Sequence, residues 1–177
     1  LAFSFSGNDA ALTGDLRDYS NFSDELVLTS QPGIFGTTED VPDGWVLSNI
    51  SCVGATNSQV SIGTGGDFQS PGFEPGDDEI QVDLAAGEVV ICTFENTKLG
   101  EITIDKIVEG ADASFDFLTS YDPGSFSLSN GQSNASGYLA SDTYTIIETV
   151  TADYELADIS CSGDINSTVT TGNTGVQ

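Results

Sequence analysis

The chain has 177 residues, with 3 Lys and Arg against 28 Asp and Glu, a formal net charge of −25 and no His. Such a surface repels nucleic acid, whose binding rests on Lys and Arg neutralising phosphate, and it disfavours anionic membranes for the same reason. The absence of His and of any Gly-x-Ser-x-Gly elbow, phosphate loop or Cys-x-x-Cys spacing argues against the usual catalytic and zinc constellations, so the chain is read as non-enzymatic, with no cofactor and no metal.

Apolar residues are dominated by Val, Ile, Phe and Tyr among many Thr, types that fit a pleated, half-buried surface. Period-two alternation predicts strands, in chain order, at 1–6, 25–29, 33–39, 45–51, 58–62, 79–84, 88–96, 100–108, 113–119, 124–128, 143–149 and 154–160. The stretches Pro71-Gly72-Phe73-Glu74-Pro75-Gly76-Asp77-Asp78 and Tyr121-Asp122-Pro123-Gly124 supply turns. No run of about twenty apolar residues spans a bilayer. Many short strands at this spacing predict an all-β fold of Greek-key, immunoglobulin-like sandwiches.

An internal repeat divides the chain. Glu39 through Cys52 aligns without a gap on Glu148 through Cys161, matching Trp45 to Tyr154, Leu47 to Leu156, Ile50-Ser51 to Ile159-Ser160 and Cys52 to Cys161, an offset of 109 residues. Phe3-Ser4-Phe5 echoes Phe115-Asp116-Phe117. The expected modules are 1–98 and 99–177, joined near Thr97-Lys98-Leu99-Gly100 by a linker short enough to predict a stiff rod. The first module lacks a counterpart of 100–108, and the second lacks one of 88–96. Two explanations stand: an excerpt from a longer array, or strands supplied by neighbouring subunits. The chain begins inside a strand-like run and has no Met, which suggests sequence upstream. Cys52 and Cys92 fall in one module and are expected to form a disulfide, as oxidising conditions outside the cell favour. Cys161 is left without a partner in the chain, which points to a missing or intermolecular one; three buried free thiols are the plainer alternative.

The run Cys92-Thr93-Phe94-Glu95-Asn96-Thr97-Lys98-Leu99-Gly100-Glu101-Ile102-Thr103-Ile104-Asp105-Lys106 resembles the junction between prealbumin-like, Cna-B-type repeats of prokaryotic surface proteins, adhesin stalks and pilins. Thr143 to Val150 followed by Tyr154, and Val41-Pro42-Asp43-Gly44-Trp45, resemble the family's "GTYTVTE…P.GY/W" segment. The resemblance implies tandem prealbumin-like sandwiches at the cell surface. It also implies, as in some members, an isopeptide bond between a first-strand Lys and a last-strand Asn, assisted by a Glu. By motif position Lys106 is the amine, Asn96 the carboxamide, and Glu39 and Glu148 the assisting carboxyls.

Alternation can be set beside that assignment. Lys106 shares a face with Ile102, Ile104 and Val108, Asn96 with Cys92 and Phe94, Glu148 with Tyr144 and Ile146, and Glu39 with Phe35 and Thr37. Polar groups facing a core must be paired. Burial moves an amine toward its neutral form and a carboxyl toward its protonated form, which suits attack on an amide with a carboxyl relaying protons. Neither module carries all three groups, so a bond would require residues upstream, downstream or on a neighbour; the plainer alternative is a buried Lys–Glu pair and a hydrogen-bonded Asn.

Four sequons, at Asn21, Asn49, Asn134 and Asn166, fit N-glycosylation, and chance matches are the alternative. The acidic stretch Glu74 to Glu79 reads as a solvated turn rather than a calcium loop, and Trp45 as a core residue rather than a sugar platform. The function expected is a structural module of an extracellular surface fibre, stalk or adhesin, whose partners are neighbouring repeats or copies of the same protein. The alternatives are a filament subunit polymerised by strand exchange and a module that binds surface glycans or a host.

Overall fold

A computed structural model describes residues 3–7, 14–16, 18–19, 22–23, 32–70, 72–163 and 167–172. The strands are β1 (Phe3–Gly7), β2 (Gly14–Leu16), β3 (Asp18–Tyr19), β4 (Phe22–Ser23), β5 (Gly33–Asp40), β6 (Trp45–Val53), β7 (Gln59–Thr64), β8 (Asp67–Ser70), β9 (Glu79–Leu84), β10 (Ile91–Lys98), β11 (Thr103–Asp105), β12 (Phe115–Thr119), β13 (Ser125–Leu128), β14 (Ser133–Ala135) and β15 (Ile146–Thr149). No helix occurs among the described residues. The chain divides into two compact units, Leu1–Gly100 and Glu101–Gln177.

In the first unit a six-stranded sheet of order β2-β1-β5-β9-β7-β8 faces the antiparallel pair β6 and β10. Alternation sends Ile80 and Val82 of β9 and Ile62 of β7 inward to meet Leu47 and Ile50 of β6. Burying each such side chain contributes about 2 kcal/mol. Leu47 and Ile50 are three residues apart, so a regular strand would turn them to opposite faces. A bulge solves this: Glu95 pairs with Asn49 and Asn96 with Leu47, leaving Ser48 as the extra residue, its hydroxyl donating to the Glu95 carbonyl at 2.8 Å. The inward face of β6 therefore switches register between the two residues, while β10 keeps strict alternation and sends Cys92, Phe94 and Asn96 inward. Gly65 and Gly66, with φ of 59° and 84°, form the tight connection from β7 to β8 that a primed turn requires.

The second unit contains the sheet β13-β12-β15 and the pair β11 with β14. Phe115, Phe117 and Leu128 are its buried centre, with Ile104, Val108, Phe126, Ile146 and Tyr154 packed around them. The turn at Tyr121–Gly124 is closed by the Gly124 N–H donating to the Tyr121 carbonyl at 2.7 Å.

Several expectations need correcting. Residues 154–160 form no strand, because among the described residues no strand equivalent to β10 pairs with them. The strand expected over 100–108 is confined to 103–105, since its partner β14 offers only three paired residues. The short strands β2, β3, β4, β8 and β14 were not anticipated, being too polar or too brief to show alternation. The strand expected at 25–29 lies outside the described residues.

Candidate functional site

Each unit holds one inward-facing carboxylate with a polar partner, Glu39 in the first and Glu148 in the second. In the first unit Glu39 sits on β5, two residues after buried Thr37, and is itself only 3% exposed. The β10 alternation brings Asn96 against it, and the Asn96 Nδ2 donates to Glu39 Oε1 at 2.7 Å. Among the described residues, Glu39 Oε2 and Asn96 Oδ1 are buried without a hydrogen-bond partner. Burial raises the Glu39 pKa above its ordinary value, and the Asn96 hydrogen bond only partly opposes this. Two orphaned oxygens side by side in an apolar interior are costly.

In the second unit Lys106, just past β11, reaches Glu148 on β15, with Nζ 2.8 Å from Oε1 and both side chains 13% exposed. The ammonium also lies 4.2 Å from the centre of the Phe115 ring, a favourable cation–π position.

The surroundings show that the two carboxylates are equivalent. Phe3 meets Trp45 edge to face at 5.4 Å, and Phe115 meets Tyr154 edge to face at 5.2 Å; these are the aromatic pairs that the repeat matches. Glu39 thus faces a carboxamide and Glu148 faces an amine, each at the same place in its own unit. An amine attacking a carboxamide carbon forms a new amide and expels ammonia, and an adjacent carboxyl can carry the proton between them. Among the described residues neither unit brings all three groups together.

Cys52 and Cys92 are bonded, with Sγ atoms 2.02 Å apart and a sequence separation of 40, and they face each other across β6 and β10. Cys161 is exposed and free.

A second polar cluster was missed by sequence reasoning. The Glu88 carboxylate accepts from the Asn57 N–H at 2.6 Å, Asn57 Nδ2 at 2.7 Å, the Ser58 N–H at 2.8 Å and Ser58 Oγ at 2.6 Å. The Ser58 hydroxyl in turn accepts from the Ala85 N–H at 2.9 Å. The Ser58 hydroxyl above all, with the other donors and against partial desolvation, lowers the Glu88 pKa to about 2. This clasp ties the loop after the disulfide strand β6 to the loop before β10. The available signal was slight: an Asn-Ser pair just ahead of one strand and a Gly-Glu pair just ahead of another.

The acidic stretch at 74–79 closes on itself: the Glu74 N–H donates to the Asp77 carboxylate at 2.6 Å and the Asp77 N–H to the Glu74 carbonyl at 3.0 Å. Trp45 is half-buried. Of the sequon asparagines, Asn49 lies half-buried on β6 with Nδ2 3.4 Å from the Glu95 carboxylate. Asn134 lies half-buried on β14 with its Oδ1 enclosed, and Asn21 and Asn166 fall outside the described residues.

A family model described as a prealbumin-like fold domain (SpaA_4) matches residues 2–98. No curated protein and no solved structure matches the chain.

Proposed function

The chain belongs to the prealbumin-like fold domain family, and from that premise we propose that it is a structural module of an extracellular surface fibre, stalk or adhesin, acting as a rigid spacer or filament building block. One observation carries the reading: the interior of each unit is given to fastening, with half of an amine–carboxamide pair held against a buried carboxylate. Glu39 holds Asn96 at 2.7 Å, and Glu148 holds Lys106 at 2.8 Å. In the first unit a disulfide adds a second fastening between β6 and β10.

The orphaned Glu39 Oε2 and Asn96 Oδ1 support the arrival of a lysine at that site, from a strand of the kind that carries Lys106. A lysine nitrogen there would attack the Asn96 carboxamide carbon. The Asn96 C–N bond breaks, ammonia leaves, and Glu39, favoured in its protonated form by burial, relays the proton. Lys106 would make the reciprocal bond to an asparagine of a last strand. Covalent links of this kind suit a protein that bears tension at a cell surface, and the net charge of −25 keeps such a fibre soluble by mutual repulsion, a repulsion that salt relieves.

Pulling single molecules of the full-length protein by their ends tests the reading. A spacer with closed cross-links extends by less than its contour length and resists unfolding up to high force. Extension of both units to full contour length at the low forces of an uncross-linked sandwich, with the disulfide reduced, would defeat it.

A further inference from the structure

The chain has one Asn-Gly pair, Asn130-Gly131. Such a pair is chemically labile. The peptide nitrogen of the residue after an asparagine can attack the carboxamide carbon, and a glycine there has no side chain to obstruct the approach. In the second unit the pair sits at the tip of the turn Ser129–Gln132, which joins β13 to β14, and both residues are exposed. The Gln132 N–H donates to the Ser129 carbonyl at 3.1 Å. Gly131 takes the third position of the turn with φ of 74°, a value that a type II turn requires there and that glycine supplies.

Both reacting groups are engaged elsewhere. The Gly131 N–H, whose nitrogen would attack, donates to the Lys106 carbonyl at 2.8 Å. The Asn130 carboxamide oxygen accepts from the Val108 N–H at 2.9 Å. Further bonds lash the turn to the same segment and to itself. The Asn130 N–H donates to the Asp112 carboxylate at 3.0 Å, the Lys106 N–H to the Gln132 carbonyl at 3.0 Å, and the Ser129 N–H to the Gln132 side-chain oxygen at 2.7 Å. Attack needs the nitrogen aligned on the carboxamide carbon, so the Gly131–Lys106 and Asn130–Val108 bonds must both open first. Solvent reaches the turn, so these hydrogen bonds shelter the pair, and burial does not. Every group involved lies between Lys106 and Gln132.

We propose that Asn130-Gly131 is a latent modification site, closed while the second unit is folded and converted to aspartate or isoaspartate once the turn opens. The Gly131 nitrogen forms a bond to the Asn130 Cγ and gives up its proton. The Cγ–Nδ2 bond breaks, and ammonia leaves with that proton. The cyclic imide left behind takes up a water molecule, which opens it at either carbonyl. One opening gives aspartate. The other gives isoaspartate, whose main chain is longer by a carbon. Nothing is oxidised or reduced. Ammonia is lost to solvent, so the change runs one way, and a second unit that has opened carries a permanent mark. The longer main chain of isoaspartate displaces Gly131 from the Lys106 carbonyl and so loosens the segment from which Lys106 reaches Glu148.

The test incubates the full chain at neutral pH, folded and in guanidinium chloride. Peptide mapping follows the exchange of NH2 for OH at Asn130, and a protein isoaspartate methyltransferase counts the isoaspartate formed. Amide hydrogen exchange at Gly131 reads the opening of the turn. Conversion at Asn130 is expected to be about tenfold or more slower in the folded chain than in the unfolded one, the order set by two hydrogen bonds that must open first. At denaturant concentrations below the unfolding transition, conversion should rise in step with Gly131 exchange. Equal rates in the folded and unfolded chain, no conversion in either, or conversion that does not follow Gly131 exchange would each overturn the proposal. The spacer reading is judged by pulling experiments, so the failure of one is distinguishable from the failure of the other.

Discussion

Replacing Cys52 and Cys92 together by alanine should lower the stability of the first unit sharply. The bond closes a loop with a sequence separation of 40, and confining an unfolded chain by a loop of that length is worth about 4 kcal/mol in the chain-entropy account. Both side chains are only half-buried, so truncation adds little through lost packing. The ladder from Ile91–Val53 to Lys98–Trp45 survives the change, which places the effect in the unfolded state. For a unit of roughly 100 residues each kcal/mol moves the melting midpoint by about 4–8 °C, so a drop of about 15–30 °C is expected. Calorimetry on parent and variant, each with and without reductant, reads it: reduction should lower the parent to the variant's midpoint and leave the variant unmoved. A variant that melts within about 3 °C of the oxidised parent, under 1 kcal/mol by the same conversion, would refute the loop-entropy reasoning.

Glu39 is held above its ordinary carboxyl pKa by burial. As pH rises from the ordinary value of 4.5 toward the folded one, the folded state binds more protons than the unfolded chain, so stability falls through that window; Glu39→Gln should flatten the slope in urea melts taken at a series of pH values rising from the ordinary one. Glu88 has the opposite sign: its folded pKa of about 2 lies below the ordinary 4.5, so its contribution is present above the ordinary value and is lost as pH falls toward 2. Glu88→Gln should remove that acid-side loss, and a carboxyl NMR titration of Glu88 with an ordinary midpoint would contradict the clasp. Lys106→Met strands Glu148 beside Phe115 and should cost about 2–3 kcal/mol, most of it recovered in Lys106→Met/Glu148→Leu; a single variant that unfolds at the parental urea concentration would argue that the pair is solvated. Gly54→Ala should cost about 2 kcal/mol or more, because φ is +89° and a Cβ would lie 2.1 Å from the Val89 carbonyl oxygen; chemical denaturation with an unchanged midpoint would show that the loop yields freely.

The arrangement of the polar interior was legible because β alternation is local. Once Ile102, Ile104 and Val108 mark an inward face, Lys106 shares it, and the same parity carries Asn96 with Cys92 and Phe94. What alternation misses is a change of parity within one strand. Leu47 and Ile50 are both inward only because of the bulge at Ser48, and a bulge is a property of two strands rather than one. The second module is expected to lack a counterpart of 88–96, yet 154–160 still reads as a strand, because its residues alternate; a strand is defined by its partner, and among the described residues none pairs with it. The Glu88 clasp depends on two loops that are brought together by β6 and β10, and no local pattern in either loop announces it. The hairpin arm β8 is carried by the Gly65–Gly66 turn more than by its own composition, which is mostly polar.

The most direct test of the account is peptide mapping of the full-length protein released from the surface of its native cells, without reductant and then with it. The account predicts that the protein is recovered in the surface fraction. It also predicts branched peptides that join Asn96 to a lysine and Lys106 to an asparagine, each lighter than its two parts by one ammonia and unaffected by reductant. Lys106 and Asn96 recovered only in linear, unmodified peptides, from protein found inside the cell, would contradict it.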